Sequence, residues 1–316
     1  MTVAEPATAA RVAPPGFTHD QWAQFMEDGF LVIEDAITPE EVDRYVETIE
    51  RHAEERGLVE PGLSVAPQNI VEWDPLFAEL IDHPRHIGYA YDLYGEQTKL
   101  QQSQFMLRPR GGSHNIWHPD GARALPYPVF SPVLPLQLKF GYWLTDLPER
   151  RMGNFVCVPG SHTTQYQPYY DTHDDVPGQQ ILKCKAGTMT LMHNALWHRV
   201  DPNESDVVRK NLFYTYSPAW VCNQDRWHSD PNWLAEQTRE RRILMRSYGP
   251  PYDCAKPPAS EFPLYLDRDT ASDRDEGVYP AHVQLLRRKR LTFAEKMMGL
   301  PHDRPGGERP TLRDND

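Results

Sequence analysis

The sequence predicts a mainly β protein, a barrel or jelly roll with α-helices along its flank, and three observations support this class. Helix-type spacing of apolar residues is found before Leu93. From Lys99 onward the apolar pattern has the two-residue period of strands. The 30 prolines exceed average usage and mark loops and edges, because proline interrupts helices and central strands. Helices followed by many short strands favour a barrel with a helical flank.

Three helices are expected before the long strands begin. The first follows Thr18 and ends at Gly29, after which residues 30–33 are expected to form a strand. The second begins at Thr38, where a proline and then a glutamate three residues later complete a capping-box pattern. A third helix is expected over residues 75–93. The apolar stripe of the second helix comprises Val42, Tyr45, Val46, Ile49 and Ala53.

The strand that begins near Lys99 is expected to place alternate residues on opposite faces. Two glutamines interrupt one of these faces, so that face points either to solvent or into a barrel where the amides need hydrogen-bond partners. Further strands are expected at residues 136–144, 155–158, 188–192 and 211–216. One face of the first strand carries Leu100, Gln102, Gln104, Met106 and Arg108, and the other carries Gln101, Ser103, Phe105 and Leu107.

Bulk properties narrow the class of partner. The formal net charge of −12 disfavours nucleic acid and anionic membranes, and no apolar stretch approaches the 18 residues of a membrane span. Residues 1–15 lack the long apolar core of a secretory signal, and the four cysteines form no C-x-x-C pair. We therefore expect a cytoplasmic protein with free thiols and a small-molecule substrate; the sequence does not predict the oligomeric state.

Residues 17–300 are expected to form one domain between a disordered segment, 1–16, and a tail, 301–316.

A candidate metal site begins at His118-Pro119-Asp120. In an extended segment, residues i and i+2 point to the same side, so the imidazole and the carboxylate converge. A distant histidine would complete two nitrogens and one oxygen on one face of a metal, an arrangement that suits Fe(II) and leaves open positions. Alone, this tripeptide is weak evidence, because the chain contains 13 histidines.

The candidate third ligand is His198, which follows an apolar strand. Arg209 comes eleven residues later, at the start of the next strand, and a returning strand would bring it into the same barrel. A buried guanidinium needs an anion, and a co-substrate carboxylate would supply one. His193, five residues before His198, is the alternative third ligand. His162 lies in a turn and is expected to be structural, and His114 lies in a glycine-rich loop and is expected to be solvated.

With these residues in place, the chain resembles the phytanoyl-CoA dioxygenase family of iron and 2-oxoglutarate oxygenases over roughly residues 17–218. The resemblance implies a double-stranded β-helix, a cupin-like jelly roll, with Fe(II) on His118, Asp120 and His198. It also implies that Arg209 binds the distal carboxylate of 2-oxoglutarate. The landmarks are Gly29-Phe-Leu-Val-Ile33, Thr38-Pro-Glu-Glu41, Gln102-Ser103 with Arg108-Pro109, Trp117-His118-x-Asp120, Gly153 with Pro159-Gly160-Ser161-His162, and His198 with Arg209.

Further site residues are expected around these landmarks. By analogy with the family strand, Gln104 is expected to contact 2-oxoglutarate. Adjacent Tyr142 and Trp143 lie on a strand that crosses the barrel, and only one of them can face inward. The proline-rich loop 124–135 is expected to form an apolar lid over the metal. The expected substrate contacts are Gln102, Arg108, Tyr127, Phe130 and Trp143.

The expected function is that of a 2-oxoglutarate-dependent dioxygenase, with Fe(II), 2-oxoglutarate and O₂, that hydroxylates a C–H bond of a small, largely apolar metabolite. By analogy with short bacterial members, we expect a role in secondary metabolism. Desaturation, ring closure and epimerisation are related outcomes, whereas halogenation is disfavoured because Asp120 occupies the place where related halogenases leave room for halide. The alternative is a non-oxygenase, cupin-like metal-binding barrel, an isomerase or a binding protein, which would not need Arg209 paired with His198.

Overall fold

The structure is a computed structural model, and it describes residues 14–112, 114–121, 131, 134–164, 172–246 and 264. Residues 13–264 form one compact unit, and residues 1–12 and 265–316 lie outside the described part. The expected N-terminal segment, the tail and the far end of the expected domain at residue 300 therefore stay predictions.

The helices form largely where the sequence predicts them. The expected capping box at Thr38 is present, with its side chain accepting from the backbone of Glu41, and α1 has a second one, in which Thr18 accepts from the backbone of Gln21. The buried face of the second helix contains the expected apolar stripe, apart from the partly exposed Val46, and also His52. The described helices are α1 (His19–Asp28), α2 (Pro39–Glu55), α3 (Pro75–Ala78), α4 (Ile87–Tyr94), α5 (Pro231–Ala235) and α6 (Arg239–Met245).

The single helix expected over residues 75–93 is wrong, because the chain breaks in its middle. The short α3 continues into a 3₁₀ turn, Glu79–Ile81, and α4 begins only at Ile87. Pro84 explains the break, since proline cannot donate a backbone hydrogen bond and disfavours the helical conformation at the residue before it. Arg85 in this break forms an ion pair with Glu41 of α2 at 2.7 Å.

Two antiparallel sheets form the β part of the molecule. The larger sheet has the strand order β1-β6-β3-β8-β2 and the smaller has the order β5-β4-β7. The neighbours are mostly distant in sequence, which is the topology of a jelly roll and confirms the expected fold class. The strands are β1 (Phe30–Ile33), β2 (Thr98–Arg108), β3 (Leu138–Trp143), β4 (Phe155–Cys157), β5 (Gln180–Ile181), β6 (Met189–His193), β7 (His198–Val200) and β8 (Arg209–Pro218).

Strand β2 departs from strict alternation at one point. Leu100 pairs with Tyr216 whereas Gln102 pairs with Thr215, so Gln101 is an extra residue and forms a bulge. Leu100 therefore shares the face of Tyr216 and not that of Gln102, which corrects the expectation that both lie on one face. From Gln102 onward the alternation holds, and the polar face points inward.

The outer face of the larger sheet is fixed to the helices by a buried polar cluster. The Tyr216 hydroxyl donates to the carbonyl of Ile81 at 2.8 Å and lies 2.8 Å from Nε2 of His86. A hydroxyl that donates to a carbonyl accepts from Nε2, so Nδ1 of His86 accepts the hydroxyl hydrogen of Tyr142. Tyr142 thereby lies on the helical side of β3, and its neighbour Trp143 faces the interior.

None of the helices in the described ranges has the length and apolar character that crossing a bilayer requires.

Candidate active site

A cavity of about 350 Å³ opens on the inner face of the larger sheet. Its lining comes from β2, β3, β4, β6, β7 and β8 and from loops, so residues far apart in sequence meet in one space. It is lined by Ser64, Val65, Ala66, Gln68, Gln102, Gln104, Met106, Arg108, Asn115, His118, Asp120, Lys139, Trp143, Phe155, Met192, His198, Val200, Arg209, Phe213 and Gln224.

Three of the lining residues form a cluster with the composition of a metal site. One potential ligand atom from each of His118, Asp120 and His198 lies within 4.8 Å of the other two. Nε2 of each histidine is 3.9 Å from a carboxylate oxygen of Asp120. The two imidazole rings are 4.3 Å apart between centroids. The residues predicted as a metal triad are therefore brought together in the fold.

Backbone hydrogen bonds hold the cluster in place. His118 and His198 form an antiparallel bridge in which each amide donates to the other carbonyl at 2.9 Å. The amide of Asp120 donates to the carbonyl of Asn194 at 2.8 Å. The Asn194 side chain in turn accepts from the amide of Leu136 at 2.9 Å. Asn194 was missed in the sequence, because only the folded chain shows that it connects the Asp120 segment to the start of β3.

The histidine rings are oriented for coordination. Nδ1 of His118 lies 2.6 Å from the carbonyl of Ile116, and Nδ1 of His198 lies 2.9 Å from that of Leu196. Since a carbonyl only accepts, each Nδ1 carries the proton and each Nε2 presents a lone pair to the cluster. Bonds of about 2.0–2.2 Å to a metal would draw the ligand atoms closer together than the 3.9 Å that separates each Nε2 from the carboxylate. The donor set and the orientation of its rings therefore fit a divalent first-row metal.

A lysine that the sequence reasoning missed lies beside this cluster. Nζ of Lys139, on β3, donates to Oδ2 of Asp120. Burial alone would raise the pKa of Asp120, but the positive charge of Lys139, followed by the nearby imidazoles, outweighs burial and holds that pKa far below its usual range. Asp120 is thus an ionised carboxylate, as a metal ligand must be.

Two buried arginines lie at the end of the paired strands. Arg108 of β2 and Arg209 of β8 are direct cross-strand partners, and each is only 1% exposed. Within the described residues, neither has a carboxylate within 4.0 Å, although Nη1 of Arg209 donates to the carbonyl of Gly153 at 2.5 Å. Burial lowers the pKa of Arg108 to about 10, which leaves it charged at neutral pH. Two buried cations facing one cavity form a site for an anion.

The turn before β4 gives the arginines their space. Gly153 has a φ of +75°, and a Cβ there would lie 3.2 Å from Cδ of Arg108 and 3.4 Å from Cδ of Arg209. The next residue, Asn154, is fully buried, and its amide donates to the carbonyls of Glu149 and Leu182 at 2.9 Å. A glycine is required here both for the backbone conformation and for the close approach of the arginine stems.

The other predicted site residues fall into three groups. Gln102, Gln104 and Trp143 line the cavity, and Nε1 of Trp143 donates to Oγ1 of Thr190 at 3.0 Å. Tyr142 lies on the opposite face. Of these two adjacent residues, Trp143 is therefore the one that faces the barrel interior. Tyr127 and Phe130, with most of the loop 124–135, lie outside the described residues.

The other three histidines considered in the sequence analysis are not part of the metal-type cluster. His193 packs between Phe25 and His162, and its Nδ1 accepts from the amide of Ala195 at 3.0 Å. Nε2 of His162 lies 3.2 Å from the carbonyl of Met26, in agreement with a structural role. His114 contacts the ring of His173 at 4.3 Å between centroids.

This fold and the donor set of the cluster resemble those of Fe(II)- and 2-oxoglutarate-dependent dioxygenases. The chain belongs to the phytanoyl-CoA dioxygenase (PhyH) family, whose family model matches residues 25–211. The expected family and fold are thereby confirmed.

Individual relatives extend this finding. Ectoine dioxygenase of Streptomyces coelicolor is 35% identical over 104 residues, which is 29% of this chain and only 34% of that protein. A probable alpha-ketoglutarate-dependent hypophosphite dioxygenase of Stutzerimonas stutzeri is 24% identical over 63% of this chain and 78% of its own length.

Solved structures show the same fold. HygX from Streptomyces hygroscopicus, with nickel and 2-oxoglutarate bound, superposes with a TM-score of 0.58 at 19% identity, covering 66% of this chain and 90% of that chain. EctD from S. alaskensis, with 2-oxoglutarate and 5-hydroxyectoine, has a TM-score of 0.55 at 21% identity, covering 68% and 79%.

Proposed function

We propose that this protein uses Fe(II), O₂ and 2-oxoglutarate to oxidise a small organic molecule, with the metal on His118, Asp120 and His198. The observation that carries the proposal is that one cavity contains a metal-type cluster and two buried arginines that have no carboxylate partner among the described residues. Binding of iron alone would require only the cluster. Binding of a dianion that also chelates the iron would require both the cluster and the arginines. A non-oxygenase metal-binding barrel does not account for the arginine pair.

Each part of the site has a distinct task. When bound, the iron supplies the oxidative chemistry through positions that the three protein ligands leave open. The Nδ1 hydrogen bonds of the histidines keep both Nε2 atoms directed at the metal. Trp143 covers one side of the Arg209 guanidinium at 5.4 Å from the ring centroid, which keeps water from that cation.

We assign both arginines to the distal carboxylate of 2-oxoglutarate. Arg209 was expected there from the sequence, whereas Arg108 was expected to contact the substrate. Their cross-strand pairing and common packing against Gly153 favour a shared anion, since two guanidinium groups this close repel each other unless a carboxylate lies between them. Gln104 of the same strand face remains a candidate for a further contact.

Anaerobic 2-oxoglutarate titrations of Fe(II)-loaded variants test this assignment. Arg209→Met should raise the dissociation constant by about a hundredfold or more, because a buried charge pair is lost. Arg108→Met should raise it by about tenfold, as expected for one charged hydrogen bond. Arg110→Met is the matched control, since Arg110 is exposed and pairs with Asp206. An unchanged constant in Arg209→Met would show that this arginine serves something else.

For the reaction outcome we propose only the type of reaction and the general character of the substrate. Hydroxylation of a C–H bond is the simplest outcome, and a role in secondary metabolism stays an expectation from the family resemblance. The expected apolar character of the substrate rested on the loop 124–135, most of which lies outside the described residues. Of the 20 residues that line the cavity, 12 are polar or charged, so its described walls favour a polar small molecule.

A further inference from the structure

We propose that the substrate of this oxygenase is a small anion, and that its negatively charged group binds Lys139 and Gln102 beside the metal cluster. This inference rests on the proposed function, because it takes the arginine pair as the 2-oxoglutarate site and asks what the remaining cation binds.

Lys139 and the arginine pair occupy different parts of the barrel. Lys139 of β3 and Gln102 of β2 both pair with Thr215, which lies between them on β8. Thr215 is six residues along β8 from Arg209, a separation of about 20 Å at ~3.3 Å per residue. Both side chains line the cavity, so a cation and an amide donor flank one region of it. A carboxylate held by the arginines leaves this region to another ligand.

The charge of the cavity calls for a second anion. Among the described residues, the charged groups that line it are three cations, Arg108, Lys139 and Arg209, and one carboxylate, Asp120. The two positive charges of Fe(II) and the two negative charges of 2-oxoglutarate cancel each other. An excess of two positive charges therefore remains in the loaded site, within a chain whose formal net charge is −12. Because the cavity is partly removed from solvent, this excess attracts an anion and repels a cationic substrate.

The surroundings of Lys139 leave room for a ligand that supplies a further negative charge to its ammonium group. Its Nζ lies 5.5 Å from the ring centroid of Phe213, and Met192 is its cross-strand neighbour on β6. Asp120 is its ion-pair partner within the described chain, and that carboxylate would be shared with the metal. An ammonium group in an apolar setting with a shared partner gains from a further carboxylate.

The alternative role for Lys139 is to orient Asp120 alone. The two roles predict different effects of removing the lysine. If Lys139 only orients Asp120, its removal changes the affinity for the metal, and the charge of a substrate has no influence on substrate binding. A substrate-binding lysine discriminates between an anion and its neutral isostere while the metal site is loaded. The cavity of about 350 Å³ is small, so compact probes are appropriate.

The test compares isobutyrate with isobutyramide, two probes of similar size that differ by one negative charge. Their binding to the anaerobic Fe(II) and 2-oxoglutarate complex is measured by equilibrium dialysis with radiolabelled probe. Wild-type protein should bind isobutyrate at least tenfold more tightly than the amide, and Lys139→Met should lose this preference. Lys139→Arg should keep part of it. Lys183→Met is the matched control, because Lys183 is half exposed and pairs with Glu149 on the surface.

Each outcome has a defined meaning. Equal binding of the two probes to wild-type protein, or no binding of either, overturns the inference. So does a preference that survives in Lys139→Met, since the anion would then bind the metal or the arginines. Reduced Fe(II) affinity in Lys139→Met without a change in probe preference assigns the lysine to Asp120 instead. Failure of wild-type protein to bind Fe(II) and 2-oxoglutarate at all would overturn the proposed function as well.

Discussion

At the scale of single residues, the arginine pair depends on a position that carries no side chain. Gly153 adopts a left-handed φ of +75° and contributes the carbonyl that Nη1 of Arg209 binds. A methyl group there would crowd the stem of Arg108 and come into contact with that of Arg209. The glycine thus connects a turn of the backbone to the placement of both arginines.

We expect Gly153→Ala to weaken 2-oxoglutarate binding by about tenfold, because small displacements of positioning groups are costly. Left-handed strain at alanine should also destabilise the fold by about 1–2 kcal/mol. Gly178→Ala is the matched control: Gly178 has a φ of +78° and open space around it. Denaturant unfolding and anaerobic 2-oxoglutarate titration of both variants measure the two effects separately. Equal 2-oxoglutarate affinity in the two variants would contradict the role given to Gly153.

At the scale of secondary structure elements, local patterns predict much of the site, and long-range pairing supplies the rest. The i, i+2 spacing of His118 and Asp120 is a local signal, and their convergence with His198 agrees with the pattern. Lys139 could not be found this way, because its approach to Asp120 depends on how β3 pairs with β6 and β8. The bulge at Gln101 shifts the alternation of β2 without any glycine or proline to indicate it.

At the scale of the whole molecule, the helical part of the chain and the larger sheet are joined through His86, a buried histidine that is held neutral. Burial lowers the pKa of His86 well below its usual value, with the charges of His83 and Arg85 adding to the effect. Burial likewise lowers the pKa of His83 to about 4. In the unfolded chain histidine has a pKa of about 6.5. Between about pH 4 and pH 6.5 the unfolded chain therefore binds more protons than the folded chain.

The free energy of unfolding should therefore fall as the pH is lowered from about 7 toward 4. The sign follows because proton uptake by the unfolded histidine below about pH 6.5 stabilises the unfolded chain, whereas at higher pH both states are neutral and the histidine makes no pH-dependent contribution. His86→Gln should lower stability at pH 7, through the loss of contacts to Tyr142 and Tyr216, and should make the decline with pH shallower. Thermal or urea unfolding across this pH range measures both effects. A decline of unchanged slope in His86→Gln would show that other groups govern the acid sensitivity.

The central claim is that His118, Asp120 and His198 hold one iron to which 2-oxoglutarate binds. Anaerobic addition of Fe(II) and then 2-oxoglutarate, followed by visible absorption, tests it most directly, because a weak charge-transfer band arises only when the co-substrate chelates the metal. Wild-type protein should bind one equivalent of Fe(II) and show the band. His198→Ala should lose both, and His193→Asn, which keeps an acceptor for the Ala195 amide, should retain both. Loss of the band in His193→Asn with retention in His198→Ala would contradict the account.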